Sequence, residues 1–177
     1  MDSEMSYISD ANSYQRLEAQ AASLTSWQVG DAPSGKSRRY FDWLEFLVKG
    51  FWTYIVELAR LSGDTTIYFY DLEQAKTSAF AKRFSVYPLV RLDVSMSEAA
   101  YIAALNEEPG KVQRETFAVA NTNSYLIFPP SGKWRVFGEY SIEMAELASS
   151  VGTPADAMFP HDFWDETEAL RRIKSTK

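Results

Sequence analysis

The stretch that most constrains the fold is Arg39–Leu61, with the sequence RYFDWLEFLVKGFWTYIVELARL. Fourteen of its twenty-three residues are Tyr, Phe, Trp, Leu, Ile or Val. Its polar residues recur every three or four positions, which places them on one narrow stripe of a helix: Asp42, Glu45, Lys49, Thr53, Glu57 and Arg60. We therefore predict a single, deeply buried helix, whose least exposed side chains are Leu44, Leu47, Val48, Phe51, Ile55 and Leu58.

The composition is that of an ordinary globular protein, with 46% apolar and 24% charged residues among 177. This length favours one domain spanning residues 1–177, with about eight N-terminal and about four C-terminal residues disordered. The absence of cysteine excludes disulfides, thiolate catalysis and cysteine-ligated metals, and the single histidine excludes a site with two imidazoles. The net charge of −6 argues against nucleic acid as the ligand. An acidic start and the lack of a long apolar run favour a cytoplasmic protein without a membrane span.

Hydrophobic periodicity and turn residues predict the remaining elements. Five other helices are predicted. One is capped by Ser9 or Asp10 and ends near Leu24, and another is capped by Ser95 or Ser97 and ends near Glu107. The remaining three cover Leu72–Phe84, Ser141–Val151 and Asp162–Ile173. The predicted strands are Thr65–Asp71, Val86–Val94, Glu115–Ala120, Ser124–Phe128 and Lys133–Glu139. The last three follow one another through short connections, so they should form an antiparallel meander. We predict an α+β domain with a mostly antiparallel sheet of four or five strands packed against the 39–61 helix.

One segment satisfies the phosphate-binding pattern G-x-x-x-x-G-K-[ST] of P-loop enzymes. Its key residues are Gly30, Gly35, Lys36 and Ser37, and Asp71 after a predicted strand could serve as the magnesium-binding carboxylate. However, the residues before the loop are too polar for a central parallel strand, and Pro33 removes a backbone donor. We keep a nucleotide-binding enzyme as an alternative and predict no binding of ATP or GTP, with Lys36 in solvent.

His161 lies close to the carboxylates of Asp162, Asp165, Glu166 and Glu168, which could support a metal site or acid–base chemistry. The segment also reads as a plain helix start, with acidic residues in the first turn. We therefore predict no metal, no cofactor and no catalytic residue.

The most informative feature is a charge imbalance between Val136 and Leu170. These thirty-five residues include no Lys or Arg but eight acids: Glu139, Glu143, Glu146, Asp156, Asp162, Asp165, Glu166 and Glu168. Aromatic residues lie among them, including Tyr140, Phe159 and Trp164. Ordinary surfaces mix the two signs, so the imbalance favours a surface that docks a basic partner. We expect these glutamates and aspartates, Asp156 apart, to be mostly exposed, with Trp164 or Phe159 partly accessible as an aromatic contact.

In size, acidity, absence of cysteine and α+β pattern the chain resembles the immunity proteins that neutralise bacterial toxins. That resemblance implies a non-enzymatic protein that occludes a basic partner, such as a toxin domain, without turnover. The predicted partner-binding residues are Glu139, Glu143, Glu146, Phe159, Asp162, Trp164, Asp165, Glu166 and Glu168. A structural subunit of a homo-oligomer, with the aromatic surplus at its interface, is the third alternative.

Overall fold

The computed structural model describes residues 6–25, 37–76, 78–109 and 117–175. Six strands in this part of the chain form one sheet in the order β1-β6-β5-β4-β2-β3, with every neighbouring pair antiparallel. They are β1 (Ser37–Asp42), β2 (Thr66–Asp71), β3 (Leu89–Asp93), β4 (Ser124–Phe128), β5 (Trp134–Glu139) and β6 (Met144–Ser149). The α+β class is confirmed, and the sheet has six strands rather than four or five.

Six α-helices accompany the sheet among the described residues: α1 (Ala11–Thr25), α2 (Phe51–Ser62), α3 (Leu72–Ala75), α4 (Ala79–Phe84), α5 (Glu98–Leu105) and α6 (Glu166–Ser175). Helices α2, α4 and α5 bury side chains in the larger core on one face of the sheet. Helix α1 covers the β2–β4 half of the other face, and α6 covers the β1–β6 half. No helix in the described ranges has both the length and the apolar character needed to cross a membrane.

The single helix predicted over Arg39–Leu61 is wrong, because the stretch divides into three elements. Its first residues belong to β1, which pairs with β6, and Trp43–Leu47 forms a 3-10 turn. Gly50 then adopts a φ of 98°, a conformation that favours glycine, so α2 begins only at Phe51. The predicted burial holds within α2, where Phe51, Ile55 and Leu58 are at most 1% exposed. It fails before α2: Leu44 is 45% exposed, and Leu47 and Val48 are half-buried.

The helix predicted over Ser141–Val151 is also wrong. Tyr140–Ile142 forms a short 3-10 turn, and the following residues form β6. Since β6 lies between β1 and β5, it pairs with a strand on each side along its full length. This pairing overrides the helical preference of a segment composed of Met, Ala, Glu and Leu.

Two further predictions need correction in the described residues. The segment predicted as a strand at Glu115–Ala120 has a 3-10 turn at Val119–Asn121, and residues 115–116 lie outside the described ranges. The helix predicted over Leu72–Phe84 consists of α3 and α4. The antiparallel pairing of β4 with β5 is confirmed. Trp134 and Val136 face the larger core and Phe137 the opposite one, as predicted.

Both edges of the sheet are covered by short pieces of chain. Residues 6–8 pair with β3, where Arg91 N–H donates to the Ser6 carbonyl. On β1, the backbone N–H of Trp164 donates to the Tyr40 carbonyl at 2.8 Å. Such covering limits pairing with a strand of another molecule. The remaining terminal residues, 1–5 and 176–177, lie outside the described ranges, so the predicted disorder of the termini stays a prediction.

Candidate functional site: an acidic and aromatic surface

The predicted docking residue Glu146 is not at the surface, which corrects its assignment. Its side chain is fully buried, and its Oε1 accepts a 2.6 Å hydrogen bond from Nη2 of Arg135 on the neighbouring strand. Burial lowers the pKa of Arg135 to about 10, and the Glu146 carboxylate opposes that change. The pair is therefore a structural element within the sheet and is closed to a partner.

Phe159 is also removed from the docking surface, because only 6% of it is exposed. Its ring packs in the larger core against Phe41, Tyr54 and Phe163, with centroids 4.3–5.1 Å apart. The segment that carries it is held to β1 by an ion pair between Arg39 and Asp156 at 3.0 Å. The sequence alone could not distinguish this core contact from an exposed aromatic.

Trp164 is half-buried, as predicted for an aromatic contact, but it already has a cation beside it. The guanidinium carbon of Arg172 lies 4.0 Å from the centre of the indole ring. Arg172 also bonds Glu168 within α6 at 3.1 Å, and Arg171 contacts the other oxygen of that carboxylate at 2.7 Å. The two arginines lower the pKa of Glu168, Arg171 more strongly than Arg172. Glu168 is thus compensated within its own helix.

Among the described residues, the most exposed large aromatic is Tyr140, a residue of the acidic stretch that is 51% exposed. It meets the half-buried Trp43 edge to face, with the ring centroids 5.1 Å apart. Trp43 is anchored to the core, because the hydroxyl of the buried Tyr125 donates a 2.7 Å hydrogen bond to the Trp43 carbonyl. Tyr125 in turn lies across Gly138, where a β-carbon would collide with its ring. Gly138 thereby allows Tyr125 to support the exposed aromatic pair.

Carboxylates surround this aromatic pair, because three strand ends meet there. Asp42 ends β1 and Glu139 ends β5, and each pairs with Met144, the first residue of β6, from opposite sides. Glu143 lies in the turn before β6 and is exposed. We call the residues at this end of the sheet the sheet-end surface: Asp42, Trp43, Leu44, Glu139, Tyr140 and Glu143. Arg172 joins it to α6, since its Nη1 lies 4.0 Å from Glu143 Oε2.

The prediction of exposed acids is confirmed for Glu143, Asp162, Asp165 and Glu166, whereas Glu139 and Glu168 are half-buried. Four members of the set form no ion pair with any described residue: Glu139, Asp162, Asp165 and Glu166. Some of these carboxylates have structural tasks. Glu139 caps the Tyr140–Ile142 turn, and Asp165 accepts from the backbone N–H of Glu168 at the start of α6.

His161 has a partner that sequence reasoning missed. Its Nδ1 lies 2.6 Å from Oε1 of Glu45, which is 116 residues away in the chain. Glu45 is buried, and within the described residues its second oxygen has no hydrogen-bond partner. The described ranges contain no group of three or more residues able to hold a metal ion. The pair fastens the Pro160 loop to the Trp43–Leu47 turn and leaves the rest of the imidazole exposed.

The residues of the phosphate-binding pattern are only partly described. Gly30, Gly35 and Lys36 lie outside the described ranges, so the predicted position of Lys36 stays untested. Ser37 begins β1, whereas a P-loop serine begins a helix. Asp71 is buried and accepts bonds from Glu73 N–H, Gln74 N–H and the Thr122 hydroxyl. Burial raises the pKa of Asp71 to about 6.

No protein-family model, no curated protein and no solved structure matches this chain.

Proposed function

We propose that this chain is a non-enzymatic binding protein that docks a basic partner protein on the sheet-end surface and on the adjoining part of α6. The observation that carries the proposal is the exposure of Tyr140 on Trp43 between the carboxylates of Glu139 and Glu143. Aromatic residues supply much of the affinity of protein interfaces, while charges at the rim select the partner and speed its approach. A basic toxin domain has the chemistry that such a surface would accept.

The structure narrows the set of residues to which this role is assigned. Glu146 and Phe159 leave it because they are buried, and Glu168 contributes less because two arginines compensate it. Tyr140 replaces Phe159 as the aromatic contact, with Trp164 as the second. The remaining acids provide a negative rim: Asp42, Glu139, Glu143, Asp162, Asp165 and Glu166. Bases also reach this surface, with Arg172 beside Glu143 and with Arg38 and Arg39 lining the same hollow as Asp165 and Glu166. Glu139 and Asp162 form no ion pair among the described residues, and a basic partner would compensate them.

The two other hypotheses receive less support from the geometry. A nucleotide-binding enzyme would need a helix directly after Ser37, and β1 stands there instead. A homo-oligomer would bring two copies of the same acidic rim together if it used this surface, which charge repulsion opposes.

The test combines capture from the native host with binding kinetics at two salt concentrations. We expect a protein of basic isoelectric point to be captured by the wild type. For the purified pair, Tyr140→Ala should speed dissociation, raising Kd about 30-fold or more, which corresponds to a hot spot of about 2 kcal/mol. Glu143→Lys should instead slow association and weaken its dependence on salt.

Two matched variants on α2 control for a general loss of apolar surface or of charge. Leu61→Ala removes another exposed apolar side chain, and Glu57→Lys makes the same charge reversal away from the proposed surface. Both should bind as the wild type does. Capture of no basic protein, or equal effects of the α2 variants, would overturn the proposal. Self-association that Tyr140→Ala abolishes would favour the homo-oligomer.

A further inference from the structure

Arg172 is a cation placed inside the proposed docking surface. Its guanidinium lies over Trp164 at 4.0 Å, and the same group contacts Glu168 at 3.1 Å and Glu143 at 4.0 Å. One arginine therefore touches an aromatic ring and two carboxylates that belong to the acidic stretch. This is the combination of groups that a docking surface of this kind would offer to an arginine of its partner.

The two sides of this contact differ in how firmly they are held. Trp164 is fixed through its backbone bond to Tyr40 and packs beside Met144 and Ala169 on the β1–β6 half of the sheet. Arg172 is one-third exposed and reaches the ring through a long side chain from the margin of the buried face of α6. Exposed cation–π contacts and exposed ion pairs are each weak. The ring is thus a fixed receptor, and the guanidinium is a replaceable occupant.

We infer that Arg172 occupies the docking surface in cis, and that a partner's arginine binds Trp164 by displacing it. This inference rests on the proposed function, because it concerns the regulation of the same surface. Its consequence is a competition between two arginines for one ring. A partner gains access to Trp164 only by offering more contacts than Arg172 makes, so isolated cations are rejected and extended basic surfaces are favoured.

The neighbouring arginine provides the control. Arg171 carries the same charge, lies one position along the chain and pairs with the same carboxylate, with its Nη2 2.7 Å from Glu168 Oε2. Its side chain is 75% exposed. Replacing either arginine with glutamine changes the net charge of the protein by the same amount. Only Arg172→Gln removes the guanidinium carbon that lies 4.0 Å from the Trp164 ring.

The experiment measures binding of an octa-arginine peptide by calorimetry at low ionic strength, with circular dichroism to verify folding. The proteins are the wild type, Arg172→Gln and Arg171→Gln. If Arg172 competes for Trp164, its removal should tighten peptide binding about three- to fivefold beyond the effect of Arg171→Gln, the value of one exposed cation–π contact. In a Trp164→Ala background the two glutamine variants should bind the peptide equally.

Each outcome separates this inference from the proposed function. If the wild type binds the peptide and the two glutamine variants tighten binding equally, the gain comes from net charge. Occupancy of the Trp164 ring by Arg172 is then overturned, while docking of cations on this surface stands. If the extra gain of Arg172→Gln persists in the Trp164→Ala background, the ring is not the shared receptor and the inference fails. If no variant binds the peptide, docking of basic groups on this surface fails, and cis occupancy falls with it.

Discussion

Two arginine–glutamate pairs involve glutamates of the same acidic stretch, but they lie in different surroundings. Arg135 and Glu146 are 1% and 0% exposed and are diagonal neighbours on adjacent strands. Arg172 and Glu168 are 34% and 30% exposed and lie one turn apart on α6. Water cannot replace either partner of the first pair, whereas it competes for both partners of the second. The first pair therefore belongs to the fold, and the second can take part in binding.

The largest effect should come from breaking the buried pair on one side. Glu146→Gln removes the negative charge and leaves the Arg135 guanidinium charged inside the sheet, which should lower the free energy of unfolding by about 3–5 kcal/mol. Urea denaturation at neutral pH measures this. The double variant Arg135→Met with Glu146→Leu should cost much less, because both members of the ion pair are removed together. A loss below about 1 kcal/mol for Glu146→Gln would show that the buried pair contributes no more to stability than an exposed pair does.

The comparison also explains why the charge imbalance misled in part. Arg135 immediately precedes Val136, where the acid-only stretch begins, and Arg171 immediately follows Leu170, where it ends. The bases that compensate Glu146 and Glu168 thus lie directly outside the stretch. A count along the chain cannot show that Glu146 faces a neighbouring strand, because that pairing depends on the sheet order.

Local pattern was sufficient where neighbours in sequence decide the structure. The extent of α1, of most of α2, and of β2, β4 and β5 follows the apolar periodicity and the turn residues around them. The local pattern failed at β1 and β6, two strands that are far apart in sequence and pair with each other. The residues of β1 and β6 read as helix, and their pairing of Tyr40 with Glu146 forms only in the assembled sheet. The contact between Glu45 and His161 was unpredictable for the same reason.

Asp71 is a buried carboxylate whose hydrogen-bond donors are neutral, unlike the arginine that pairs with Glu146. Asp71 accepts from two backbone N–H groups and from the Thr122 hydroxyl, and burial raises its pKa from 3.8 to about 6. Between these values the folded protein holds a proton that the unfolded chain has released, so stability is full below the lower pKa and is lost as the pH rises. Relative to Asp71→Asn, the wild type should lose about 2 kcal/mol between pH 4 and pH 6, which is most of the roughly 3 kcal/mol that the whole pKa shift represents.

Urea denaturation of both proteins across that pH range measures the difference. Asparagine keeps an acceptor oxygen for the same donors and has no charge to desolvate, so the variant removes the titration and retains the cap of α3. A constant difference between the two proteins from pH 4 to pH 6 would show that Asp71 ionises in the fold as readily as in water. Neutral donors would then stabilise a buried carboxylate as well as Arg135 does.

The smallest effect on stability should come from the surface pair of Arg172 and Glu168. Its size shows whether Arg172, unlike Arg135, is dispensable for the fold. Arg172→Gln should lower the free energy of unfolding by less than about 1 kcal/mol, because its ion pairs with Glu168 and Glu143 and its contact with Trp164 are partly exposed. The remaining effect should shrink further in high salt, which screens the ion pair, whereas the loss for Glu146→Gln should change little. Arg60→Gln on α2 is the control for the loss of a more exposed pair, since Arg60 and Glu57 are 67% and 36% exposed and lie 3.3 Å apart. A side chain that contributes so little to the fold is available to be exchanged for a partner's arginine. If Arg172→Gln instead destabilised the protein as much as Glu146→Gln, Arg172 would hold α6 on the sheet, and its displacement from Trp164 would unfold that helix rather than open a docking surface.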